Sequence, residues 1–135
     1  MRRALLLTMS LLLLAGCAKP PPATLSVDGL IVQRSRNALP PGTVINVRLL
    51  DVSRADAPSI TLAEQRIELG GRQLPVPFAL SVAADRLDPR MSYAVAADAR
   101  LDGQLIMFST NRHPVLTRGA PSGGVAVLLE PVAPR

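Results

Sequence analysis

The sequence predicts an all-β protein: a small single-domain β-sandwich of about seven to eight short, mainly antiparallel strands. Three observations carry this. Apolar residues recur at every second position through a series of short segments. Gly, Pro, Asn and Asp break those segments at intervals of about 8 to 12 residues. Asp102-Gly103 lies between two of them, and that dipeptide suits a two-residue hairpin turn because both turn positions need positive φ.

The chain starts with a different kind of segment. Met1-Arg2-Arg3 precedes an apolar run from Ala4 to Ala15, followed by Gly16-Cys17. The run is about 12 residues long, short of the about 20 that a helix needs to cross a bilayer, so residues 1–16 are expected to be a cleaved signal peptide. Leu14-Ala15-Gly16-Cys17 resembles the lipobox of bacterial lipoproteins. The resemblance implies cleavage between Gly16 and Cys17, a diacylglyceryl group on the Cys17 sulfur and an N-acyl chain such as palmitate on its amine. Each buried methylene contributes about 0.8 kcal/mol, so two or three chains make a stable anchor. The position after the cysteine is Ala18 rather than the Asp that commonly retains such proteins at the inner membrane. The expected location is therefore the outer membrane, facing the periplasm. Cys17 is the only cysteine, so no intramolecular disulfide can form.

Residues 17–23 read as the lipidated cysteine and a proline-rich tether. Pro20-Pro21-Pro22 favours extended backbone, so the tether reaches at most roughly 20 Å. Residues 24–135 read as the β domain. Leu25 to Gln33 is the first strand, with Leu25, Val27 and Ile31 on one face and Gly29 marking a bulge. Pro40-Pro41-Gly42 turns into a strand from Thr43 to Asp51, where Ile45, Val47 and Leu49 oppose Asn46 and Arg48. Ser53 to Pro58 is a polar loop. Ser59 to Leu69 is the third strand, although Leu62 to Arg66 would also suit a helical turn. Phe78 to Val82 follows Pro75-Val76-Pro77, whose prolines suit an edge. Ala83 to Arg90 is a connection with one short turn. Ser92 to Leu101 and Gln104 to Ser109 form the hairpin, Val115 to Thr117 is a short strand, and Gly124 to Val132 is the last.

Composition narrows the function. The formal net charge is +5, and it drops to +3 once Arg2 and Arg3 leave with the leader. The remaining arginines are scattered, which does not suit nucleic-acid binding. Phe78, Tyr93 and Phe108 are the only aromatic residues, too few for a stacking platform. Asp51, Asp56 and Glu64 are the acidic residues in the most distinctive context, a candidate structural or partner-binding loop. Their spacing is not that of a calcium loop. His113 lies in Asn111-Arg112-His113-Pro114, read as an exposed loop, and with no second histidine it suggests no metal site. Gly119 to Gly124 is glycine-rich but precedes a strand rather than a helix, so it is not a phosphate loop. No nucleophile elbow is present. Catalytic residues, metal and cofactor are all expected to be absent.

Several stretches together resemble a known family. Leu49 to Pro58, Ala63-Glu64-Gln65, Gln73 to Leu80, Tyr93-Ala94-Val95, the Asp102-Gly103 hairpin and Val115 to Gly119 look like the YbaY-like lipoprotein family, which shares a domain with the YscW-type pilotins of type III secretion. The resemblance covers Leu25 to Val132. It implies a compact β-sandwich lipoprotein and, for the pilotin members, a chaperone that escorts secretin subunits to the outer membrane. The expected function is a non-catalytic binding or assembly module, pilotin-like, with an outer-membrane protein as client. The alternative is a general envelope-maintenance lipoprotein with no dedicated client.

Overall fold

A computed structural model describes residues 16–133 of the chain, and among them the alternation of apolar and polar residues produces eight strands. The strands are β1 (Thr24–Gln33), β2 (Val44–Asp51), β3 (Ile60–Glu68), β4 (Val76–Ala83), β5 (Tyr93–Leu101), β6 (Gln104–Ser109), β7 (His113–Val115) and β8 (Val125–Pro131). A one-turn 3-10 helix, Ala84–Arg86, follows β4. The expected leader, residues 1–16, lies outside the described residues except for Gly16.

All eight strands belong to one sheet. Seven run in the order β3-β2-β5-β6-β8-β1-β4, and β7 joins the edge of β5. The two facing layers of the expected sandwich are thus parts of one continuous sheet that curls until its outer strands, β3 and β4, stand side by side. Pairing is antiparallel except between β1 and β8, which run parallel from Gly29↔Val125 to Gln33↔Leu129. Register shifts between Leu49 and Leu50 and between Ala99 and Arg100 mark irregularities of the kind that increase local twist.

The inner face is the apolar half of each alternation. Ile45, Val47 and Leu49 of β2, Val76, Phe78, Leu80 and Val82 of β4, and Val125, Val127 and Leu129 of β8 are all buried. On β5 the inward residues include Ala97 and Ala99, which sit opposite Val47 and Ile45 in the ladder. Small residues beside large ones on the same face leave room for side chains from the opposite wall of the curled sheet. Tyr93 is buried, and its hydroxyl accepts a 2.9 Å hydrogen bond from the Asp88 amide, so its polar end is satisfied.

Gly29 is not a bulge. The β1–β4 register runs through it without a shift. A Cβ at this position would lie 1.8 Å from the Val125 carbonyl oxygen, so glycine is required by the close approach of β8. At Asp102-Gly103 both residues have positive φ, 51° and 80°, as the two-residue hairpin demands. At the same end of the sheet Gln73 clamps two loops: its Oε1 accepts from the Leu39 amide at 2.7 Å and its Nε2 donates to the Leu39 carbonyl at 3.2 Å.

The strand directions give the molecule two distinct ends. One holds the Asp102-Gly103 turn and the loops 34–43 and 70–75. The other holds the start of β1, the 3-10 turn, the loop after β2 and the loop after β7. The tether enters at this second end, where the Ala84 amide donates to the Ala23 carbonyl at 2.8 Å.

Candidate functional site

Cys17 is exposed, in irregular backbone ahead of β1. The acidic residues singled out in the sequence are not gathered into one site. Asp51 ends β2 and turns inward on its own loop: its carboxylate accepts from the Ser53 amide at 3.0 Å and from the Ser53 hydroxyl. The same hydroxyl accepts from the Ser92 amide at 3.0 Å, tying the loop to the start of β5. Asp56 is exposed on that loop. Glu64 stands on β3 opposite Arg48, several rungs away from Asp51. Among the described residues no three His, Cys, Asp or Glu side chains are placed to hold a metal ion.

His113 departs from the expected exposed loop. It is the first residue of β7, paired with Val95, and half-buried with its Nε2 enclosed and unpartnered. Burial holds its pKa below the ordinary value of 6.5. Asn-Arg-His-Pro has loop character locally, but pairing with the edge of β5 overrides it.

A polar network centred on Asp98 lies outside the acidic residues singled out in the sequence. Asp98, only 7% exposed, projects from the outer side of β5. Its carboxylate accepts from Asn46 Nδ2 at 3.3 Å, from an Arg48 terminal nitrogen at 3.3 Å and from Arg100 Nε at 3.1 Å. The placement of Asn46, Arg48, Asp98 and Arg100 on outward positions was legible from the alternation. Their convergence was not, because it needs the β2–β5 register that sets Asn46 opposite Asp98.

Below that network the outer surface opens into a groove of about 260 Å³. Its floor includes Leu50 and Val52 from β2 and its continuation, with Ala94 and Ala96 from β5. One wall is the loop from Arg54 to Ser59, which the Asp51–Ser53–Ser92 bonds hold in place. The other is the segment Ser109 to Arg112. The groove exists because β5 changes partners here. β6 pairs with it from Asp98 upward and β7 pairs with it from Val95 downward. Between them the Ala97 amide is satisfied by the Ser109 hydroxyl at 3.0 Å, and the chain loops outward.

Comparison with known proteins agrees with this architecture. The family described as "Type III secretion system lipoprotein chaperone (YscW)" matches residues 22–127. The uncharacterized lipoprotein YbaY of Escherichia coli (strain K12) is 30% identical over 103 residues, which is 76% of this chain and 54% of that protein. The chain thus spans about half the length of the curated relative it matches. A solved structure of an alternative pilotin from the type II secretion system of Vibrio cholerae superposes with a TM-score of 0.78 at 32% identity, covering 83% of this chain and 100% of that one. Since the family match runs through most of the strands that build this sheet, the chain belongs to the YbaY-like, YscW-type lipoprotein family.

Proposed function

We propose that this protein is a lipid-anchored, non-catalytic binding module of pilotin type. In this reading Cys17 carries the acyl chains, the β domain faces the periplasm from the outer membrane, and the domain escorts or steadies a secretion component of that membrane. The observation that carries the reading is the likeness to the alternative pilotin, whose whole chain is covered at 32% identity. The exposed Cys17, separated from β1 by a short proline-rich tether at one end of the sheet, supports the anchoring part. The non-catalytic part is supported by the engagement of Asp51 and Asp98 in hydrogen bonds that organise a loop and a ladder.

The test is a cross-linking capture of the full-length protein from intact envelopes, with a Cys17→Ser form as control and partners identified by mass spectrometry. Recovery of one outer-membrane secretion subunit, reduced in the Cys17→Ser form, is the expected result. Recovery of abundant envelope proteins alone, to the same extent as with unrelated lipoproteins, would replace the pilotin reading with general envelope maintenance.

A further inference from the structure

We infer that the groove between the Arg54–Ser59 loop and the Ser109–Arg112 segment docks an acidic peptide segment, its apolar side chains on the floor and its carboxylates at the rims. The inference rests on the binding-module reading and assigns it a face. The floor is apolar and low: Leu50 pairs with Ala94 in the β2–β5 ladder, and Ala96 lies two residues further along the same outer side. The short alanine side chains leave the space that a partner's larger side chain would fill.

The rims decide the sign of the partner. Arg54 lines one and Arg112 the other, and no acidic residue lines the groove. Most other arginines of the described domain are neutralised or occupied; the exceptions, Arg34 and Arg36, lie in the 34–43 loop at the opposite end of the sheet. Arg48 and Arg100 bind Asp98, Arg66 binds Glu68 and Arg90 binds Asp88, all within 3.3 Å. Arg72, Arg86 and Arg118 donate to main-chain carbonyls. Among the described residues Arg54 and Arg112 make no ion pair and no side-chain hydrogen bond. Two guanidinium groups flanking an apolar floor complement carboxylates that flank apolar side chains, because each guanidinium can grip a carboxylate through two parallel hydrogen bonds.

Direct binding tests the assignment. The full chain, purified in detergent, is titrated into a fluorescein-labelled amphipathic peptide of leucine and glutamate. Parallel titrations use a peptide with glutamine for glutamate. The glutamate peptide is expected to bind at least about tenfold more tightly, with affinity decreasing as salt rises. The double variant Arg54→Glu, Arg112→Glu should abolish that preference while keeping the parent's thermal melting temperature, since both side chains are on exposed residues. Equal binding of the two peptides, no binding of either, or a preference that survives the double substitution would overturn the proposal. Competition by phosphatidylglycerol vesicles but not phosphatidylcholine vesicles would reassign the groove to lipid headgroups. Envelope capture separates the two readings. A double variant that still recovers the secretion subunit loses the groove but keeps the pilotin function. Groove binding by a protein that recovers no such subunit does the reverse.

Discussion

Gln65 on β3 accepts a 2.9 Å hydrogen bond from the Ala79 amide on β4, through its side-chain Oε1. This joins two edge strands that share no ladder. N–H groups two residues apart point to the same side of a strand, so Pro77 turns its donor-less nitrogen toward the same open edge as Ala79. Arg86 adds a 3.1 Å bond to the Leu62 carbonyl on the β3 side. The seam is closed by side chains and blunted by proline, which keeps another chain from adding a strand there.

Gln65→Ala should therefore free the Ala79 amide. The expected cost is about 1 kcal/mol, because the group regains water when its partner is lost. Hydrogen exchange at Ala79 should accelerate while amides in β5 stay protected. Unchanged exchange at Ala79 would show that the seam is closed by something else.

Asp98→Ala should cost more. It leaves Arg48 and Arg100 facing each other without their shared carboxylate, and it strands Asn46. Breaking a fully buried pair costs about 3–5 kcal/mol, but these arginine side chains are 39% and 44% exposed, so about 2 kcal/mol is expected. Urea denaturation measures it. A loss below about 0.5 kcal/mol, the range of an ordinary surface substitution, would mean that water replaces the network at little cost.

Gly29→Ala tests the close approach of β1 and β8. The added methyl overlaps the Val125 carbonyl, a main-chain atom that cannot rotate away. Overpacking of this kind costs about 1–3 kcal/mol, and the upper part of that range is expected here. The melting temperature should decrease, with the largest gain in hydrogen exchange in β8. Alanine tolerated without any shift would contradict the parallel pairing.

His113 makes stability depend on pH. Its pKa in the folded protein lies below 6.5, so the unfolded chain binds more protons at mildly acidic pH. Stability is then full above the unfolded pKa and decreases as pH drops through about 6.5 toward the lower folded value. Replacing the imidazole with a neutral side chain, His113→Gln, should remove this part of the acid sensitivity. Melting curves from neutral pH down to mildly acidic pH, recorded for both proteins, check it. Parallel pH profiles for the two would show that the imidazole titrates as freely in the fold as out of it.

Cys17→Ser should abolish incorporation of labelled palmitate and release the protein from the membrane fraction. Retention of both label and membrane association in the serine form would place the anchor elsewhere.

By itself the sequence determined the strands, the hairpin turn and an inner face of Val, Leu, Ile and Ala. These depend on local rules. Side chains alternate across a strand, so Ile45, Val47 and Leu49 declare the buried face of β2 without reference to any neighbour. Asp102-Gly103 declares its turn because few other dipeptides accept two positive φ angles. Apart from that hairpin, tertiary structure decided who stands next to whom. Alternation says which way a side chain points but not which strand lies beside it, and pairings such as Gly29 with Val125 are made between residues far apart in the chain. That is why Gly29 read as a bulge and proved to be a contact, and why His113 read as a loop residue and proved to begin β7. The same long-range register brings Asn46, Arg48 and Arg100 onto Asp98, and it places Arg54 and Arg112 on opposite rims of one groove.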